Sequence, residues 1–241
     1  AIAGLTRADI AASDDPTGNV NVGGDWVLET ATGPIETAAR FETISVSALP
    51  GLLYASEVIS DSPVAYYRLG ENSGMVAQDS SGRGLHGTYS NGVELGVDGA
   101  LPGDDDDAAA RFDGLDDSVI IPDAPALDVS EQFTLEAWIY PLAWGASIIS
   151  KVGGSGGNNG YQLGIRSTGE VFVQFNAPGE TWPANKLETA SLPLLNTWTH
   201  IVATYDHDAL RIYLDGGLAA SPTVGPKTVV NSSSTLRISG D

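Results

Sequence analysis

Apolar and polar residues alternate with a period of two through most of this chain. In FTLEAWIYP, Phe133, Leu135, Ala137 and Ile139 share one face, and Thr134, Glu136, Trp138 and Tyr140 share the other. That spacing predicts a strand with one face in a core. ASIISKV and YQLGIRS follow, separated by GGSGGNNG, and Ser167-Thr168-Gly169 turns the chain into the strand EVFVQFNA. THIVATYD and ALRIYLDG are joined through Asp206-His207-Asp208, Asp215-Gly216-Gly217 is a hairpin signal, and STLRISG reads as a last short strand. No window of twelve residues carries a capped 3.6-residue period. The short segment IETAARFE, Ile35 to Glu42, has helix-friendly residues. Many short strands with Gly-rich turns predict an all-β, two-sheet sandwich.

Residues 1–50 are turn-rich around one convincing strand, DWVLET, and hold too few large apolar residues for a core of their own. They read as an N-terminal extension or the tail of an upstream module. Residues 51–60, GLLYASEVIS, read as a linker with apolar anchors, and the main domain is expected over residues 61–241.

Charge narrows the partners. Acids outnumber bases 31 to 11, a net charge of −20, which excludes the clustered Lys and Arg that nucleic-acid backbones require. It equally excludes a polybasic membrane anchor. No run approaches ~18 apolar residues, so no membrane insertion is expected. AIAGLTRADI lacks the basic start and apolar run of a signal peptide, so an export signal is expected outside this chain. With no cysteine there is neither a disulfide frame nor a thiolate metal site.

From Pro63 the chain resembles the laminin-G-like (concanavalin A-like lectin/glucanase) modules of large bacterial surface and secreted proteins. The residues that carry the resemblance stand in family order: AYYRLGE, QDSSGRGLHGTY, GVDGALPGDDDDAAARFDG, FDGLDDSVIIPD, FTLEAWIYP and NTWTHIVATYDHDALRIYLDG. The fold implied is an antiparallel jelly-roll β-sandwich. In the family a closing strand follows the segment like LRISG, so the sandwich is expected to lack that strand. TRADIAASDDPTGNVNVGGDWVLE in turn resembles junction segments of long bacterial surface proteins.

Hydrolases of the same fold carry Glu-x-Asp-x-x-Glu on one strand, pairing two carboxylates for glycoside cleavage. Here Glu131 and Glu136 have Phe133 in the Asp position. Gly153 to Gly157 satisfies Gly-x-Ser-x-Gly but joins two strands, whereas a nucleophile elbow leads into a helix. His86, His200 and His207 have no ligand spacing, and His200 reads as a packed structural residue. The expectation is a protein that is not an enzyme.

For metal, Asp79 in the DSSG loop and Asp113, Asp116 and Asp117 in FDGLDD are hard oxygen donors suited to Ca²⁺. The resemblance also implies calcium, and the alternative is that these side chains cap turns. The run Asp104 to Asp107 reads as a solvated loop. For a sugar, Trp138 and Tyr140 opposite the apolar side of their strand, and Trp144, Tyr161 and Trp182 in or beside loops, offer rings, and Asn185, Gln162 and Asn176 offer polar partners.

The function expected is a non-enzymatic extracellular adhesion or carbohydrate-binding module that recognises a glycan or a surface protein. A structural building block is the alternative, a homo-oligomer or filament in which DWVLET completes a sandwich by strand complementation. An accessory domain of a polysaccharide-degrading enzyme is the third.

Overall fold

The computed structural model describes residues 11–12, 30–31, 49–100, 107–153, 159–181, 184–222 and 224–240. The chain forms two compact units, Ala1–Leu49 and Pro50–Asp241. In the first, β1 (Ala11–Ala12) pairs antiparallel with β2 (Thr30–Ala31). The segments IETAARFE and DWVLE lie outside the described residues.

Helix α1 (Leu49–Ser60) begins at the boundary between the units, where the sequence reads as a linker. Pro50 is tolerated because the first turn of a helix needs no N–H from it. Tyr54, Ala55 and Val58 are half-buried, while Ser56, Glu57, Ile59 and Ser60 are exposed. The helix stops where Ser62 adopts a φ of 56° and donates its N–H to the Ile59 carbonyl at 2.9 Å.

The strands of the second unit follow in order: β3 (Val76–Ala77), β4 (Gly87–Ser90), β5 (Glu94–Asp98), β6 (Ala108–Arg111) and β7 (Ser118–Ile121). Next come β8 (Phe133–Ile139), β9 (Ala146–Gly153), β10 (Asn159–Ile165), β11 (Val171–Phe175) and β12 (Asn185–Glu188). The last are β13 (Thr199–Tyr205), β14 (Leu210–Leu214), β15 (Gly217–Ala220) and β16 (Leu236–Ile238). An eight-stranded sheet runs β12-β11-β10-β9-β16-β7-β4-β3, a four-stranded sheet runs β15-β14-β13-β8, and β5 and β6 form a ribbon. All pairings are antiparallel. Strand β16 lies mid-sheet, bonded to β7 on one side and β9 on the other.

The core fills the space between the sheets. Phe133 and Tyr205 from the small sheet meet Tyr161 and Phe175 from the large one, with ring centroids 4.7–6.0 Å apart. Tyr205 and Phe175 are essentially inaccessible. The buried hydroxyls find backbone partners, Tyr161 donating to Leu127 O at 3.0 Å and Tyr205 to Gly225 O at 2.9 Å. One cation is also buried. Lys151 Nζ reaches Asp123 at 2.8 Å and Asp128 at 3.0 Å, and also donates to the Ser232 carbonyl.

The segment AYYRLGE, Ala65 to Glu71, forms no ladder strand. It makes a single bridge, Tyr67 to Asp79, because the Asp79 carboxylate takes up the Tyr66 N–H that a ladder would otherwise use. No helix among the described residues is long and apolar enough to cross a membrane.

Candidate functional site

Along β10, Tyr161, Leu163 and Ile165 point into the core, so Gln162, Gly164 and Arg166 fall on the outer face of the large sheet. On β11 the same parity sends Phe172 and Gln174 outward, and on β12 Lys186 and Glu188. These side chains form one chain of hydrogen bonds. Arg166 Nε donates to Glu188 at 2.7 Å and Arg166 Nη2 to Gln174 Oε1 at 3.2 Å. Gln174 Nε2 donates to Gln162 Oε1 at 2.6 Å, and Gln162 Nε2 to Ser147 Oγ at 3.2 Å. Lys186 Nζ lies 3.0 Å from Glu188 Oε1, and with Arg166 it holds the Glu188 carboxyl below the usual carboxylate range. The Arg166 guanidinium stacks 3.8 Å from the Phe172 ring centroid.

Gly164 makes room for that ring, since a Cβ there would lie 2.7 Å from two Phe172 ring carbons. The result is an open groove of about 350 Å³ lined by residues including Ser147, Gln162, Arg166 and Phe172. Trp144, the residue before Gly145 of the groove's lining, is 38% exposed, and its ring packs with Leu192 against Gly169 of the β10–β11 turn. A second groove, about 280 Å³, runs past Gln132–Thr134 and Thr204–Asp206. Its one carboxylate, Asp206, is already held by Arg211 and two backbone N–H groups.

The acidic loop before β7 is a distinct place. Asp113, Asp116 and Asp117 bring one carboxylate oxygen each within 4.8 Å of the others. Asp113 Oδ1 accepts the Leu115 N–H at 2.8 Å, which folds the loop back on itself. Asp117 is 5% exposed, and its Oδ1 is buried without a hydrogen-bond partner among the described residues. A buried carboxylate oxygen in that condition is costly unless a cation meets it, so the three residues fit a hard cation.

Asp79 is not among them. Its oxygens accept N–H groups from Tyr66, Ser81 and Leu85 at 3.1, 2.9 and 2.9 Å, and its side chain organises the DSSG loop. These bonds outweigh the effect of burial and lower its pKa.

The rings and amide singled out for a sugar are not brought together. Tyr161 is 3% exposed and belongs to the core, since its parity on β10 turns it inward. Trp138 lies on the outer face of the small sheet, stacked on His200 at 4.9 Å and edged by Tyr54 of α1. Glu136 completes that cluster, accepting from Tyr54 Oη at 2.7 Å and meeting His200 Nε2 at 2.9 Å. Asn185 is buried, its Nδ2 donating to Glu180 at 2.5 Å, so it braces a loop. Trp182, residues 154–157 of the Gly-x-Ser-x-Gly string and Asp104 to Asp106 lie outside the described residues.

Sequence reasoning missed Ser147, Arg166, Phe172, Gln174 and Glu188. The period of two, followed from YQLGIRS into EVFVQFNA, places Arg166 and Phe172 beside Gln162; the pairing with Ser147 and Glu188 needs the register.

Two stacked antiparallel sheets with a polar groove on one outer face define a lectin-like β-sandwich. The chain belongs to the concanavalin A-like lectin/glucanases superfamily, whose laminin-G family model matches residues 112–241. A second family model, a domain of unknown function (DUF4347), matches residues 1–53. The second unit is similar in fold to the binding domain of Paraclostridial Mosquitocidal Protein 1, at 18% identity and TM-score 0.54, covering 70% of this chain and 44% of that one. It is also similar to the receptor binding domain of botulinum neurotoxin D, at 17% identity and TM-score 0.56, covering 75% and 45%. Domain 4 of an extracellular arabinanase from Geobacillus stearothermophilus, solved with arabinotriose, matches at 17% identity and TM-score 0.50, covering 73% and 82%. The chain thus spans less than half the length of the two toxin domains. No protein with a curated description matches it.

Proposed function

We propose that this chain is a non-enzymatic carbohydrate-binding module of a larger extracellular adhesion protein, and that the groove over β9–β12 holds the glycan. The observation that carries this reading is the convergence of Ser147, Gln162, Arg166 and Glu188 beside a partly exposed Trp144. Sugar hydroxyls come in adjacent pairs that amides, carboxylates and guanidinium groups satisfy, and a sugar's apolar face stacks on an indole. Hydrolysis would need two carboxylates across the scissile bond. Among the described groove residues only Glu188 is acidic, and two cations hold it. Beside a catalytic domain in a longer protein, the same groove would serve as an accessory site. Residues 1–50 would then be the tail of an upstream module.

A glycan array followed by calorimetry tests this. Trp144→Ala and Gln162→Ala should each weaken binding about tenfold, the effect of losing ~1.4 kcal/mol, with melting curves run to confirm that each variant stays folded. An array with no binding sinks the reading.

The acidic loop adds a Ca²⁺ ion held by Asp113, Asp116 and Asp117, which would rigidify the turn into β7. A structural building block is the second reading. It is favoured by one observation: β8, seven residues long, pairs with β13 alone among the described residues. An unpaired edge is a template for a partner strand. Sedimentation showing a monomer at all concentrations would remove it.

A further inference from the structure

Eight residues lie in one continuous cross-strand row over the large sheet: Val76, Thr88, Ile120, Arg237, Ser150, Gln162, Gln174 and Lys186. Directly paired residues share a face, and Gln162 and Gln174 put this row on the outer face that carries the groove. The chain has 31 acids and 11 bases, yet the row contains two bases and no acid. Its middle is sunk, with Ser150 4% and Gln174 3% exposed. Arg237 and Lys186, the two cations that bound its last five positions, are exposed. Arg237 has no acidic partner among the described residues. Lys186 shares Glu188 with Arg166, which leaves one positive charge over at that end.

Building on the binding reading above, we infer that the ligand of this face is an anionic glycan. It would lie across the strands from Lys186 to Arg237, its acidic groups at the two ends and its hydroxyls over Ser150, Gln162 and Gln174. Four interstrand steps of ~4.8 Å give the track a length of ~19 Å, enough for several sugar units and for acidic groups at more than one position. The overall charge of −20 does not forbid this. Beyond a Debye length of ~8 Å at physiological salt, the rest of the chain is largely screened, and the near field is set by Arg237, Lys186, Arg166 and Glu188. Asp117 and Asp123 stand three residues either side of Ile120, the partner of Arg237, ~10 Å at strand rise, and Asp123 is bonded to Lys151; at the other end Glu170 sits on the exposed β10–β11 turn, bonded to Thr168. It is four residues along the hairpin from Gln174, ~13 Å at strand rise. A neutral glycan would leave Arg237 without a partner, whereas a carboxylate or sulfate gives it a charge-assisted bond.

The test is calorimetry on the full chain with three probes: tetragalacturonate, its methyl ester, and a heparin-derived tetrasaccharide. At least one anionic probe should bind about tenfold tighter than the ester at low salt, as one charge-assisted hydrogen bond allows. The gap should close as salt rises. Preference for tetragalacturonate identifies carboxylate as the recognised group, and preference for heparin identifies sulfate. Arg237→Gln with Lys186→Gln, both exposed positions, should abolish the gap, with melting curves run to check the fold. The salt series on the unmodified chain tests the same charge dependence without a variant, and a gap that persists at high salt would overturn the anionic assignment. If the ester binds as tightly as both anions and Trp144→Ala removes that binding, the groove is a sugar site but the anionic assignment is wrong. Silence from all three probes together with a blank array overturns both.

Discussion

Lys151 allows a sharp test of how a charge is held inside this sandwich. Its side chain is 1% exposed, whereas those of Asp123 and Asp128 are 40% and 37% exposed. Replacing both aspartates with asparagine leaves the ammonium buried with weak neutral partners and the Ser232 carbonyl. An uncompensated buried charge costs ~3–5 kcal/mol. The low end, about 3 kcal/mol, applies because the aspartate side is open to water and the pairs are partly screened already. Lys151→Met removes the charge along with its need for partners and keeps most of the volume. It leaves the Ser232 carbonyl without that donor and returns two exposed aspartates to water, at a cost of about 1 kcal/mol. The aspartate double variant should therefore be the less stable by about 2 kcal/mol. For a unit of this size that is about 4–8 °C in melting temperature. Thermal and urea melts of the two variants against the parent measure it. If Lys151→Met proves equal to or worse than the double variant, the ammonium is an asset in its own right and the reasoning fails.

Three further outcomes follow from the geometry. If calcium occupies the acidic loop at a hundredfold excess over its Kd, EDTA should remove about 2.7 kcal/mol, or ~5–10 °C. Asp117→Asn should abolish that sensitivity, and superimposable curves would mean no ion binds. His200 and Tyr54 lower the pKa of Glu136 below its ordinary value of 4.5, so its contribution is present above that value and lost as pH falls through the folded pKa. Glu136→Gln should therefore flatten the acid limb of a stability profile; an unchanged limb would place the sensitivity elsewhere. Gly160 has φ 109°, and a Cβ there would sit 1.7 Å from the Lys151 carbonyl oxygen. Gly160→Ala should cost about 3 kcal/mol or more by chemical denaturation, from backbone strain and overpacking together, and a cost under about 1 kcal/mol would contradict the packing.

The parts of this molecule legible in its sequence are those that depend on one strand at a time. The alternation in FTLEAWIYP placed Phe133 and Leu135 in the core and Trp138 opposite, as found. The Asp spacing in FDGLDD closed its own turn, so that cluster also formed from local chemistry. Tyr161 was misplaced although the information was present: its parity with Leu163 and Ile165 turns it inward. Helix α1 escaped notice because Tyr54 ties it to Glu136 and His200, residues far along the chain. Asp79 and the groove depend on contacts between distant segments, such as Arg166 with Glu188 and Arg237 beside Ser150. No local pattern encodes those.

The placement of β16 has a consequence for how the chain comes together during synthesis. Strands β7 and β9 become neighbours only through residues 236–238, more than eighty positions after β9 begins. Until those residues leave the ribosome, the large sheet exists as two halves, each with an open inner edge of ladder-ready amides. Long-range pairings of this kind form late and slowly. The hairpins from β9 to β12 are local and can form early, then wait for their bridging strand. A nascent chain stalled between β15 and β16 is thus the form of this protein most exposed to wrong pairing.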